Sequence, residues 1–124
     1  MPSNASLSVA LRVVGAIFVV GLYPLTVIWP AGFLWEPRQV EYEHMILITF
    51  AVLGVFLFRA AQNPRQHRSL IAFAGWSSLI HGLLMMVQAL GDPVERVNLL
   101  GDVPALIIVG GVLILLNRNN APET

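Results

Sequence analysis

Apolar residues come in four long runs separated by short polar stretches. Runs of about 20 apolar residues fit helices crossing a hydrocarbon core of ~30 Å. The pattern predicts spans over 9–29, 42–61, 69–90 and 99–116. Joined by short loops, they make one integral membrane domain, an all-α, antiparallel four-helix transmembrane bundle. The third run sorts its residues most clearly. At 100° per residue, Ala74, Ser77, Ser78, His81, Met85, Gln88 and Asp92 fall within about 60° of the His81 direction. Trp76, Leu79, Leu83, Met86 and Leu90 point the other way. An unpaired polar group in hydrocarbon costs several kcal/mol. The polar seam is therefore expected to face other helices, and the apolar back to face lipid.

Glycines and prolines punctuate the runs. Gly15 and Gly21 permit close backbone approach, and Pro24 is expected to kink the outer third of the first helix. Pro30, Gly32 and Pro37 break the chain into a loop, where Trp29, Phe33 and Trp35 read as interfacial anchors. The second helix begins near Glu41–His44 and is stopped by Asn63-Pro64, with Arg59 placed to snorkel to the interface. Ser69 is the expected N-cap of the third helix, and Asp102 that of the fourth, with Pro104 in its first turn. The apolar stretch Val103–Leu116 would rise only about 21 Å at 1.5 Å per residue. Either the fourth span begins earlier, around 98–100, or its outer end lies beneath the other helices, which would place Asp102 inside protein. Gly110-Gly111 predicts close helix contact.

Composition sharpens this. The 124 residues suit one domain, and 56% hydrophobic against 11% charged residues departs far from the roughly 25% charged of a soluble domain. Cysteine is absent, which excludes disulfides and Cys-ligated metal sites. With no lysine, zero formal net charge and no basic run, no nucleic-acid partner is expected. The N-terminal stretch lacks a basic signal-type region and its apolar run is too long for one, so a retained helix is expected, without lipidation motifs. Four spans put both termini on one side, together with Arg12, Arg59, Arg65, Arg68, Arg118 and Glu123. Arg38 and Arg96 fall on the other side with Glu36, Glu41, Glu43, Asp92, Glu95 and Asp102. Arginine bias makes the termini cytoplasmic and the protein an inner-membrane one.

The candidate chemistry lies at the acidic end. Glu43 and His44 start the second helix, Gln88 and Asp92 end the third, and Asp102 starts the fourth. His81 sits seven residues below Gln88, roughly 10 Å deeper. With Ser77 and Ser78, these residues would line an outward polar funnel floored by His81 and able to bind a ligand. His81 suits proton transfer or ligand contact, with Glu43 or Asp102 orienting it, but a histidine bonded to a backbone carbonyl or to Ser77 explains it equally. Glu41 and His44 form a single E-x-x-H, whereas carboxylate-bridged metal bundles need two copies and more acids. No metal is expected, and haem ligation by His44 and His81 is disfavoured by their different depths. No cofactor is expected. Asp92 and Asp102 each follow a glycine, which also suits turn and cap chemistry. Arg65, His67 and Arg68 read as a topology determinant or an anionic-lipid contact.

The motifs Tyr42, Glu43 and Met45, NPxxHRSLI at 63–71, WSSxxH at 76–81, QALxDPxE at 88–95 and GDVPAL at 101–106 resemble an uncharacterised family of short four-span bacterial membrane proteins. The first helix, LRVVGAIFVVGLYPL, is loosely similar to that of DoxX-like proteins. The resemblance implies membership and topology, and carries no catalytic residue.

The functional expectation is a non-catalytic protein of the lipid bilayer. It would hold a hydrophobic small molecule in the funnel, or serve a membrane-protein partner or a homo-oligomer as an accessory subunit. The alternative is an enzyme acting on a sterol, quinone or isoprenoid through His81. A proton-coupled small transporter ranks third, because the cytoplasmic half of the seam carries no charged residue.

Overall fold

The computed structural model describes residues 2–121, so Glu123 lies outside the described residues. Most of the described residues are helical, and none of them lies in a strand. Three helical stretches are long and apolar enough to cross a membrane: Ala5–Ile28, Val40–Ala60 and Pro64–Gly91. A fourth candidate span is a pair, Pro93–Leu100 and Asp102–Arg118, bent by 43°.

Helix α1 (Pro2–Ala16) passes through a π turn at Ile17–Gly21 into α2 (Leu22–Ile28). The wide turn has a local cause. The ring of Pro24 would collide with the Val20 carbonyl, and its nitrogen offers that carbonyl no donor. Widening the preceding turn, with Leu22 N–H bonded to Ile17 O, lets the helix continue without a break. Gly21 lies inside this turn and meets only its own neighbour Ile17, so the close approach expected there does not occur. Gly15 does make one. A Cβ on Gly15 would stand 2.7 Å from Gly54 O, and one on Gly54 would stand 2.7 Å from Gly15 O. Here α1 and α4 (Val40–Ala60) cross backbone to backbone.

A strap over residues 29–39 joins α2 to α4 and contains the short helix α3 (Pro30–Phe33). After α4, a 3₁₀ turn at Pro64–His67 leads into α5 (Arg68–Gly91). His67, not Ser69, occupies the N-cap position, and no side chain caps the helix. Neighbouring side chains tie this end instead. Asn117 donates to Arg68 O (3.2 Å), Asn120 donates to Pro64 O (2.9 Å), and the Arg68 guanidinium donates to Asn120 O. Arg68, Asn117 and Asn120 thus form a packed corner, and the exposed Arg65 donates to Ala121 O (3.3 Å) beside it.

Helix α5 packs chiefly on α6 (Asp102–Arg118). Gly75 abuts Ile114, Gly82 abuts Ile107, and a Cβ on Gly110 would stand 2.5 Å from Leu79 N. Gly111 has open space instead of a neighbour, so only one glycine of the pair makes the expected contact. The buried face of α5 is Ile71, Ala74, Gly75, Ser78, Gly82, Met85 and Ala89. It is turned by about 70° from the His81 direction. Trp76 remains 53% exposed, as an apolar back requires.

The core lies at one end of the helices. Leu7, Leu11, Val14 and Phe18 pack with Leu57, Ala60 and Ala61, Ile71 and Ala74, and Leu113. Ser8 donates to Ala61 O (2.8 Å) at that end. Farther along, α4 and α5 scarcely touch, and the helices part.

Candidate functional site

Since α1 pairs with α4 and α5 with α6, the space between the pairs is left open. It forms a cleft of about 360 Å³. Its floor is aromatic. Phe50 meets Phe18 edge-on with ring centroids 5.0 Å apart, and lies nearly parallel to the His81 imidazole at 6.2 Å. Leu22, Leu47, Met85 and Leu106 line its middle. Glu43 lies seven residues before Phe50, so roughly 10 Å farther along α4. At that level Glu43, Gln88, Asp102, Trp35 and Tyr42 line the cleft, and Phe33, Leu34 and Pro37 of the strap cover it.

The two carboxylates of the lining have different surroundings. Glu43 takes a bidentate pair from Arg38, Nε at 2.6 Å and Nη2 at 3.0 Å. That bond holds the Arg38 guanidinium above its ordinary value. Among the described residues no cation pairs with Asp102. Its Oδ2 accepts from Trp35 Nε1 (2.8 Å) and its Oδ1 from Asn98 Nδ2 (3.2 Å). Capping of α6 by the Asp102 side chain is not what forms. Gly101 holds the N-cap position, Asp102 is the first helical residue, and its carboxylate turns to the strap. Trp35, expected as an interfacial anchor, is half-buried by the same contact. Asn98 is wholly buried and ties the strap twice more, donating to Gly32 O (3.1 Å) and Leu34 O (3.2 Å). Nearby, the buried Glu95 carboxylate accepts from the Glu36 N–H.

Among the predicted site residues, Glu43, His81, Gln88 and Asp102 line the cleft. His81 is exposed rather than buried, and its ring faces this space. Among the described residues neither His81 nor Gln88 has a hydrogen-bond partner. His81 therefore stands unlinked to Glu43 or Asp102, although all three border one cleft. His44 is exposed on α4 beside Tyr23, ring centroids 6.4 Å apart, and does not border it. Ser77 donates to Ala74 O (3.4 Å) within its own helix, and Ser78 is buried within α5's packed face. Asp92 is exposed and accepts from Val94 N–H (3.0 Å), closing the turn that opens the 3₁₀ helix Pro93–Leu100. Among the described residues no three His, Asp or Glu side chains converge as a metal-binding group.

Sequence reasoning missed Asn98 and Glu95. A signal was present, because Glu95, Asn98 and Asp102 recur at three- and four-residue spacing and so share one helical face.

The family DUF6632, a family of unknown function, matches the chain over residues 2–122. No curated protein and no solved structure matches it.

Proposed function

Since the chain belongs to DUF6632, whose function is unknown, its role is read from its own geometry, and we propose that it binds an amphiphilic small molecule in the cleft between the two helix pairs. One observation carries this reading. An apolar-walled space of about 360 Å³ presents polar side chains that have no hydrogen-bond partner among the described residues, His81 and Gln88 among them. Ligand sites combine apolar walls with a few orienting polar groups in this way. Ionisable residues at membrane depth are candidates for function by default.

In the same reading the fold is an antiparallel four-helix bundle in a bacterial inner membrane, with the bent pair as its fourth span. Both termini are cytoplasmic and the strap faces outward. Supporting this, Arg59, Arg65, Arg68 and Arg118 gather at the end opposite the strap, and Arg59 lies 5.8 Å from the Phe56 ring centroid. The binding role needs no cofactor and no catalytic step. A role as an accessory subunit or homo-oligomer is compatible with it, because α4 has the least buried of the three long spans.

Proton transfer by His81 on a sterol, quinone or isoprenoid is the second reading, favoured by the unpartnered imidazole at the cleft floor. It requires Glu43 or Asp102 to leave its present partners.

The test is native mass spectrometry of protein taken from membranes in mild detergent. A small amphiphile bound one-to-one, and lost on Leu106→Trp, which fills the middle of the cleft, is the expected result. A chain that carries nothing, with a spectrum indifferent to the substitution, would overturn the reading.

A further inference from the structure

The chemistry of the lining says more about the occupant than that it is amphiphilic. Resting on the binding role proposed above, we infer that the cleft selects a cationic headgroup, such as a quaternary or protonated amine attached to an apolar body about 10 Å long.

Charge is the first ground. The lining holds two carboxylates, Glu43 and Asp102, and no arginine; the chain has no lysine. Arg38 lies outside the lining and is taken up by both Glu43 oxygens. Asp102 is left facing neutral donors, the Trp35 and Asn98 side chains on one oxygen each and the backbone N–H groups of Val103 and Asp102 itself. None of these donors carries a charge, so they leave the carboxylate without a counter-ion. A charge in a low-dielectric site with no counter-charge is costly, and a ligand cation is what would complete it.

Aromatic rings are the second ground. Trp35, Tyr42 and Phe33 line the same end as Asp102, and cations are attracted to such ring faces. Carboxylate and rings together make the usual recognition surface for an alkylammonium group. The depth follows from the helices. Phe50 and His81 form the floor about seven residues below Glu43, which accommodates a body of roughly 10 Å. An anionic headgroup meets the opposite situation. It would have to displace Glu43 from Arg38 while approaching Asp102.

The test uses three probes of one shape on the full chain in an uncharged detergent. They are 4-phenylbutyltrimethylammonium, its neutral isostere with carbon in place of nitrogen, and 5-phenylpentanoate. The readout is the indole N–H resonance of Trp35, assigned by its loss in Trp35→Phe, which reports on the cleft and not on micelle partitioning. The cation is expected to shift it with at least tenfold tighter affinity than the neutral probe, and the carboxylate to bind weakest. In Asp102→Asn the cation-to-neutral ratio should fall below threefold. Because that variant also weakens the contacts of Asp102 with Trp35 and Asn98, the ratio measured in the unaltered chain decides the matter by itself. Equal affinity for cation and neutral probe, or tighter binding of the carboxylate, overturns the charge selection and leaves the binding role standing. If no probe moves the resonance, the binding role falls as well.

Discussion

Replacing Asn98 probes what holds the strap over the cleft. Its amide nitrogen lies within hydrogen-bond distance of three oxygens, on Gly32, Leu34 and Asp102, although it carries only two hydrogens. At most two of these bonds are fully formed at a time. A net hydrogen bond contributes about 1 kcal/mol, one to a charged acceptor about 1.5–3, and bonds between membrane helices average only ~0.6. Two bonds at that scale give about 2–3 kcal/mol. Against this, Asn98 Oδ1 is buried with no partner, and removing it relieves about 1 kcal/mol. Asn98→Ala is therefore expected to destabilise by about 1–2 kcal/mol. Asn98→Asp should cost more, about 3–5 kcal/mol, because it sets a second carboxylate among the same oxygens with no cation near. Adding Asp102→Asn to it restores a donor–acceptor pair with the roles exchanged, and should recover about half of the loss. Thermal unfolding in detergent gives the order of the three variants. Amide hydrogen exchange over residues 29–39 shows whether the strap is what loosens. The reasoning fails if alanine costs more than aspartate, or if the strap amides exchange as before.

Three further outcomes follow from the same coordinates. Trp35→Phe keeps the ring but loses the donor to Asp102, and should lower stability by about 1–2 kcal/mol, measured by thermal unfolding. Gly54→Val places a Cβ 2.7 Å from Gly15 O and 2.8 Å from Phe18 Cβ, so it should force α1 from α4 and cost at least ~2 kcal/mol. A disulfide-trapping or unfolding assay that finds this variant unchanged contradicts the crossing. Gly110→Ala and Gly111→Ala differ by one position and should diverge. The first meets backbone at 2.5 Å and destabilises, whereas the second meets nothing within 4 Å and gains up to about 1 kcal/mol of helix propensity.

The helices were legible because the hydrocarbon core demands long apolar runs, and those runs are unmistakable in this chain. Polarity alone was a poorer guide to which face is buried. Grouping Ser77, His81 and Gln88 set the inner face of α5 by its hydrogen-bonding atoms. The actual face is set by Gly75 and Gly82, which let α6 approach to backbone contact. In a membrane, where apolar burial drives little helix association, the closest approach wins over the polar stripe. His81 then falls at the edge of the contact, facing the cleft. The loops were read by local rules, and these worked where the partner is local. Asp92 does close a turn on Val94. They failed for Asp102 and Trp35, whose partners lie 67 residues apart, because no spacing rule reaches that far. For Asn98 the spacing to Asp102 marks one acceptor, whereas the other two are backbone carbonyls of the strap, which leave no mark in side-chain pattern.

Why a cleft should exist at all has an answer in where the contacts are spent. The side chains of the core cluster come from the start of α1, the end of α4, the start of α5 and the end of α6, so they share one end of the molecule. The Asn117, Asn120 and Arg68 corner fastens that same end. Glycine contacts hold α1 to α4 and α5 to α6, but no glycine contact joins α4 to α5 among the described residues. Two stiff pairs joined at one end must diverge toward the other unless something there draws them together. The strap does this, through backbone carbonyls offered to Asn98 and an indole offered to Asp102. It ties the first pair to the second by polar contacts of modest strength and by the close approach of the Gly32 backbone to Gly101. Stability and binding are thereby separated along the helix axis. Substitutions in the core should unfold the chain, whereas those in the strap should first open the cleft, and a ligand bridging Asp102 to the floor would tighten the end where α4 and α5 part.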